Sequence, residues 1–525
     1  MLRAGFRCLA AVDFNSTAVK VLRMNLAENS HRKLPAVDHV LERDLARFQP
    51  QELAAIIGCD HVDVIVGGPP CQGYSLARQV DGANHGRRFI EDDDRRNLYQ
   101  DLLRFVDHFQ PKIFVMENVL GLRSTAGGGY FTRVQKEARE LGRKSGRAGY
   151  RVHDQIEDAW ELGAPQKRRR QLIVGVRGDQ PGYFLPTLRP ARRAVPKIAL
   201  GECIADLPGL RAGNGDNERD YDLKRRSKQM KRLGKPARRF LSHVLQVGQA
   251  SKLTNHTARS HSDRDLRDFR LLREGESSAR AMRRGVRFEF PYSKDSFKDR
   301  YTRQSRYEPC STIVAHMSKD GLMFVHPTQN RSLTPREAAR VQSFPDWFVF
   351  PKARTSAFAL IGNAVPPLVA EATGNAIKKF LSAACTSGAK PKGAAEQSSK
   401  LDRTTDEALQ TLRQFASMAP PELRALTRGE FLRCWRALLH LVPALHPRNA
   451  LDHGESDEPW PDAESIFPEL EPNQSRRYVR SGWPVALVPI GREAWRRVRV
   501  RKLSVLEIHG ISGARLSRRR SRSDS

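Results

Sequence analysis

Residues 61–75 read HVDVIVGGPPCQGYS. HVDVIV (61–66) is a short β-branched apolar run closed by glycines, and this predicts a strand. The two prolines behind it fix φ and rule out both helix and central strand. Gly67 and Gly68 let the backbone come close to another group. The turn therefore sets Cys71 on a rigid tip just past a strand. Taken alone, the stretch fits two readings equally: a platform for one reactive side chain, or an ordinary strand-to-loop turn with an incidental cysteine.

Outward from this turn, residues 1–180 alternate between strand and helix patterns. CLAAVD (8–13) is a strand ending at an acid. STAVKVLRMNLAEN (16–29) has helical spacing behind Ser16 as N-cap. LYQDLLRFVDHF (98–109) is an amphipathic helix, and KIFVMENV (112–119) and RQLIVGVRG (170–178) are further strands. Such alternation predicts an α/β fold with a parallel, doubly wound sheet. Ligands of such sheets sit beyond the carboxyl ends of the strands. Asp13, Asp44, Cys71 and Glu117 all fall at or just past expected strand ends.

Beyond 180 the pattern changes. Residues 181–330 lose periodicity, carry basic clusters and read as a smaller, loop-rich domain. RSLTPREAARVQSFPD (331–346) returns to helix, with Thr334 as N-cap, Pro335 at the first position and Glu337 three residues on, a capping box. IGNAVPP (361–367) is a turn feeding a helix to about 383. Residues 384–403 have the composition of a linker. Residues 404–445 allow amphipathic helices, and 446–525 are Pro- and Arg-rich, the composition of disorder.

The chain has 525 residues and a formal net charge of +31, more than solubility requires. A strongly basic chain meets polyanions, most often nucleic acid. No run of about 18 apolar residues suggests a membrane span. The N-terminus lacks the core and cleavage site of a signal peptide. Seven scattered cysteines without a CxxC spacing argue for a reducing compartment and against a zinc ribbon. A thiol is thus available as a nucleophile. Glu117, at the end of the next strand in sequence, offers a carboxyl to a ring nitrogen and an exocyclic amine. The basic run QKRRR (166–170) would favour the thiolate. This set suits an electron-poor heterocycle better than a peptide, since no His with an orienting Asn or Asp is marked.

GGPPCQGYS, ENVLGL, APQKRRR, RSLTPREAARVQSFPD and IGNAVPP occur in this order, and that order resembles the cytosine-5 DNA methyltransferases of bacterial restriction-modification systems over about residues 1–380. Pro-Pro-Cys also sets the turn apart from the Asp/Asn-Pro-Pro-aromatic turn of the amino methyltransferases. The resemblance implies a Rossmann-like class I S-adenosylmethionine-dependent methyltransferase sheet (1–180, closed by 331–383), a target recognition domain (181–330) and a C-terminal extension. It implies Cys71 as the nucleophile on carbon 6 of a flipped cytosine and Glu117 on N3 and the amine. Arg168, with Arg170 nearby, would steady the ring carbonyl. The loop after Cys71, with Gln72 and Ser75, would close over the base, and Gln166 is a further substrate-binding candidate. S-adenosyl-L-methionine would meet Asp13, Asp44, Pro69, Asn97, Leu98, Asn363 and Val365, and no metal is implied. Arg331, Arg336 and Glu337 read as structural ion pairing, and Gly362 and Pro366 as backbone-shaping. Residues 223–239 fit a DNA-backbone face or a solvated helix.

Duplex DNA and a cognate restriction endonuclease are the implied partners of a monomer at home in the cytoplasm, by the nucleoid. One departure stands out: the family's opening strand and Phe-x-Gly-x-Gly turn have no match, and MLRAGFRCLAAVDFN aligns with the end of the helix that follows them. A start assigned too late and a decayed remnant both explain this, and either predicts weak methylation, or none, by the chain as written. An RNA cytosine methyltransferase and a DNA-binding protein without catalysis are the rival functions.

Overall fold

β4 (Ile113–Asn118) is the strand around which the fold is built, and it is buried on both faces. Ile113 and Val115 face one layer, with Ala376, Ile377 and Phe380. Phe114 and Met116 face the other, with Leu102, Leu103 and Val106. The period of two puts alternate residues on opposite faces, so a strand covered twice reads as a continuous apolar run.

The computed structural model of the chain describes residues 1–27, 34–69, 98–124, 128–180, 195–250, 252–289 and 301–386. Cys71, Gln72, Ser75 and Asn97 lie outside the described residues, as do most of the expected linker and all of the tail. Met1–Lys390 forms one compact unit.

β1 (Cys8–Asp13) pairs in parallel with β2 (Val37–Glu42). β3 (Val64–Gly67) pairs in parallel with β4. β5 (Tyr150–Asp158) and β6 (Arg169–Arg177) complete a four-stranded sheet of order β3-β4-β6-β5. Among the described residues β1 and β3 each have a strand partner on one side only, and most of their residues are half-buried, with Asp13 and Val66 exposed, where all of β4 but Glu117 is buried. β6 runs antiparallel to both neighbours, so the sheet is mixed rather than wholly parallel. The connection from β5 to β6 is too short for a crossover helix, which needs a dozen or more residues.

The helices begin where local chemistry lets them. α1 (Ser16–Leu22) is capped by Asn15, whose side chain accepts from the amide of Ala18, and Ser16 is the first helical residue rather than the cap. α2 (Pro50–Ile57) opens on a proline. α3 (Tyr99–Phe109) buries Tyr99, Leu102, Leu103, Phe105, Val106 and Phe109. α4 (Gly129–Glu140) covers the same face of the sheet through Val134 and Ala138.

The described part of 181–330 is more regular than its fading periodicity suggests. It holds α5 (Leu200–Ile204), β7 (Gly215–Asp220), α6 (Leu223–Arg232), α7 (Lys235–Arg239), β8 (Lys252–Thr257), α8 (Asp263–Leu271) and α9 (Ser278–Arg283). Elements of five to ten residues are too short for a helical period to declare itself.

α10 (Pro335–Val341) has the expected capping box at Thr334 and Glu337. Every residue of this helix is buried, three charged ones included. Arg331 and Glu337 form a bidentate pair at 2.7 and 2.8 Å. Arg336 donates instead to Thr254 and Phe348. Arg340 holds Asp206 at 2.5 Å and Asp346 at 2.6 Å. Removing one partner of a buried pair leaves the other charge uncompensated. Arg340→Met is therefore expected to cost about 3–5 kcal/mol of stability, read from the denaturant midpoint. A loss under about 1 kcal/mol, the scale of exposed pairs, would contradict this.

α11 (Arg354–Asn363) and α12 (Pro367–Thr386) close the unit, α12 packing on β4 and β6. Among the described residues no helix is long and apolar enough to cross a membrane.

Candidate active site at the carboxyl edge of the sheet

Parallel pairing brings the carboxyl ends of paired strands to one edge. β1 ends at Asp13, β2 at Glu42 and β3 at Gly67, and Glu117 lies one residue from the end of β4. β6 runs the other way, so its first residues, Arg169 and Arg170, meet the end of β4. Glu117 is in register with Leu172, and Arg170 is two residues away on the same face. The Arg170 Nε lies 3.0 Å from Glu117 Oε1, with the side chains only 17% and 18% exposed.

Burial pushes the Glu117 carboxyl above the usual carboxylate range, and the guanidinium groups of Arg170 and Arg168 pull it back only in part. Glu117 therefore holds its proton to higher pH than an exposed glutamate. The glycine-proline turn is fastened beside it. A Cβ at Gly68 would sit 3.4 Å from Glu117 Oε2, and Asn118 Nδ2 donates to the Pro69 carbonyl at 3.3 Å. The turn that leads to Cys71 thus runs over the Glu117 carboxyl.

Arg168 and Gln166 are placed differently from Arg170. Arg168 is buried and donates to the carbonyls of Ile313 (2.6 Å), Gly362 and Ala364 (both 3.1 Å). Gln166 is fully buried. Its Nε2 reaches Gln342 Oε1 at 2.5 Å, and its Oε1 accepts from the amide of Ile313. Gln342 in turn donates to Ile361 and Ala364. These bonds tie Arg168 directly, and Gln166 through Gln342, to the turn at 361–364, and Arg168 stays close enough to Glu117 to favour its ionised form. Gly362 is required there, since a Cβ would lie 2.2 Å from the backbone of Val314 and Ala315.

Asp13 and Asp44 are exposed. In each, one carboxyl oxygen closes a local turn, on Asn15 for Asp13 and on Ala46 for Asp44. The second oxygen of each makes no hydrogen bond among the described residues. Leu98 is half-buried at the start of α3 and Asn363 is exposed. Val365 packs on Ala159, Ala164 and Val369. Phe14 was not among the residues singled out above; it is 71% exposed, directly after Asp13. An aromatic residue following a strand-ending acid is the signal that would have found it. Exposed carboxylate oxygens and a bare aromatic face at the carboxyl edge suit the hydroxyls and flat base of a nucleoside, so these residues fit S-adenosyl-L-methionine. Among the described residues no cluster of His, Cys, Asp or Glu could hold a metal ion.

The fold is that of a methyltransferase. A solved structure of a prophage-encoded DNA modification methyltransferase (E. coli) superposes with a TM-score of 0.53 at 24% identity, over 73% of this chain and 94% of that one. The model of the C-5 cytosine-specific DNA methylase family matches residues 1–379. Type II methyltransferase M.DdeI of Desulfomicrobium norvegicum is 33% identical over 72% of this chain and 84% of its own length. Type II methyltransferase M.AgeI of Thalassovita gelatinovora is 30% identical over 72% and 96%. The chain belongs to the C-5 cytosine-specific DNA methylase family. It is by class a DNA cytosine-5 methyltransferase.

Proposed function

We propose that the chain methylates carbon 5 of a cytosine flipped out of duplex DNA, with Cys71 as nucleophile and Glu117 and Arg170 as the groups that hold the ring. The observation that carries this reading is the half-sheltered Arg170–Glu117 pair at 3.0 Å beneath the turn that leads to Cys71. A flipped base costs a few kcal/mol of lost stacking and pairing, repaid by such polar contacts in a pocket.

The Cys71 thiolate adds to C6, and its electron pair forms the Sγ–C6 bond. The displaced ring electrons move toward N3. A protonated Glu117 donates to N3 there, and Arg170 both orients the carboxyl and supplies positive charge beside the ring. Arg168 and Gln166 act as positioning residues, since they fix the turn bearing Asn363 and Val365. S-adenosyl-L-methionine, when bound, supplies an electrophilic methyl group. Asp13, Asp44 and the face of Phe14 would hold its nucleoside, with Pro69, Leu98, Asn97, Asn363 and Val365 around it. Once C5 carries the methyl group, its proton passes to solvent, the C–H electron pair re-forms the C5=C6 bond and expels the Cys71 thiolate, and N3 returns its proton to Glu117. Gln72 and Ser75 would cover the extruded base. Residues 181–330 would read the target sequence. The Type II methyltransferases among the relatives support a place as the modification half of a restriction system, with an endonuclease as counterpart.

The test traps the adduct. A duplex carrying 5-fluorocytosine cannot release a C5 proton, so the full chain with S-adenosyl-L-methionine is expected to stay covalently attached to it. The same sequence as RNA is expected to give no adduct. Mass spectrometry finding Cys71 unmodified in the presence of the duplex and cofactor would overturn the reading.

A further inference from the structure

We infer that the exposed face of α6, continued by α7, is a phosphate-tracking surface for duplex DNA. This rests on duplex DNA being the substrate. The segment LKRRSKQMKRLGKPARR (223–239) contains no acid. Lys224, Lys228 and Lys231 are spaced i, i+4 and i+7, so they share one side of the helix, and Arg225 and Arg232 border it. All five are exposed. Lys235, Arg238 and Arg239 extend the exposed charge along α7.

None of these side chains makes an ion pair among the described residues. Three exposed arginines in the same part of the chain are matched, while others such as Arg270, Arg280 and Arg283 are single and not gathered on one helix face with lysines. Arg267 meets Glu289 at 2.8 Å. Arg284 meets Glu276 and Arg306 meets Glu274, each at 2.9 Å. Like charges at i and i+4 destabilise a helix, so an unmatched face on α6 works against the fold.

The opposite side of α6 is anchored, which keeps the unmatched face rigid. Arg226 is buried, stacks 3.4 Å from the Tyr221 ring centroid and donates to the Val247 carbonyl at 2.6 Å. Tyr221 donates to Asp346 at 2.5 Å, and Asp346 is held by Arg340. The helix is thereby fixed to the fully buried α10. A merely solvated basic helix has no need of a buried arginine to fix its roll. A polyanion with regularly spaced charges supplies the missing counter-charge, and duplex DNA neutralised by lysines releases condensed counterions.

The experiment measures binding of the full chain to a fluorescent duplex across a salt series. Lys224→Gln/Lys228→Gln/Lys231→Gln is expected to reduce the slope of log affinity against log salt by about 2–3, and to weaken binding about 100-fold at physiological salt. The single variant Lys228→Gln is expected to reduce the slope by about 1, and it serves if the triple variant does not fold. Arg267→Gln/Arg284→Gln removes as much surface charge per site and is expected to leave the slope unchanged. Slopes within about 0.5 and affinities within twofold of wild type for both lysine variants would overturn the surface. So would an equal loss in the arginine control, or a loss confined to single-stranded RNA. The 5-fluorocytosine adduct at low salt is scored separately. A missing adduct with an intact lysine effect sinks the catalytic reading and leaves the surface standing.

Discussion

Cys71→Ser is expected to lower the rate of methyl transfer by about 10⁴-fold or more, and to eliminate the covalent complex. C5 of cytosine is a poor nucleophile until something adds at C6. A thiolate can do this near neutral pH, because its pKa lies within reach of solution values and cationic neighbours lower it. A serine hydroxyl has no comparable ionised population. The measurement is single-turnover transfer of labelled methyl to duplex DNA, with DNA binding followed in parallel. Binding is expected to persist, since Cys71 is asked to react and not to hold the duplex. Residual transfer above about one per cent of wild type would mean that carbon 6 is activated by another group.

Glu117→Gln is expected to reduce the same rate by about 10²–10⁴-fold. The amide keeps much of the shape and can still hydrogen-bond, but it has no proton to shift toward N3 as electrons arrive. The sign of the pH effect follows from burial. A carboxyl whose pKa is raised keeps its proton above the usual carboxylate range and loses it as pH rises further. The wild-type rate should therefore carry a falling limb on the alkaline side of that raised pKa, and the Gln variant should lack this limb. A Gln variant with the wild-type pH profile would remove Glu117 from proton delivery. Arg170 adds a check on the direction. It lies 3.0 Å from the carboxyl and favours the ionised form, so its removal should move the falling limb to higher pH.

What the sequence disclosed and what it concealed divide along one physical line. Features set within a few residues were legible. β4 showed in its continuous apolar run, and α10 in Thr334, Pro335 and Glu337, each a local hydrogen-bonding rule. Asp13 and Glu117 were placed at strand ends because strand length is short and bounded by turns. Features set by distant partners were not. Arg168 and Arg170 sit two residues apart in one basic run, yet the first donates to the carbonyls of Ile313, Gly362 and Ala364, and the second makes the ion pair with Glu117. No local pattern separates them, because acceptors well over a hundred positions away decide it. Gln166 was hidden for the same reason. β5 escaped because YRVHDQIED (150–158) has polar residues at six of its nine positions, and the antiparallel course of β6 follows from its pairing with β5.

Arg340 grips one carboxylate from before α6 and another from just after α10. Those two acids belong to stretches of chain well over a hundred residues apart, so they must change in concert. A hybrid enzyme that imports residues 195–330 from a relative inherits whatever stands at position 206, and with it either a match or a buried guanidinium left with Asp346 as its one carboxylate. Successful exchange of sequence preference between members of the family should then track this one acid more closely than overall identity. Grafts that carry it across should express and melt normally, whereas those without it should accumulate as insoluble chains.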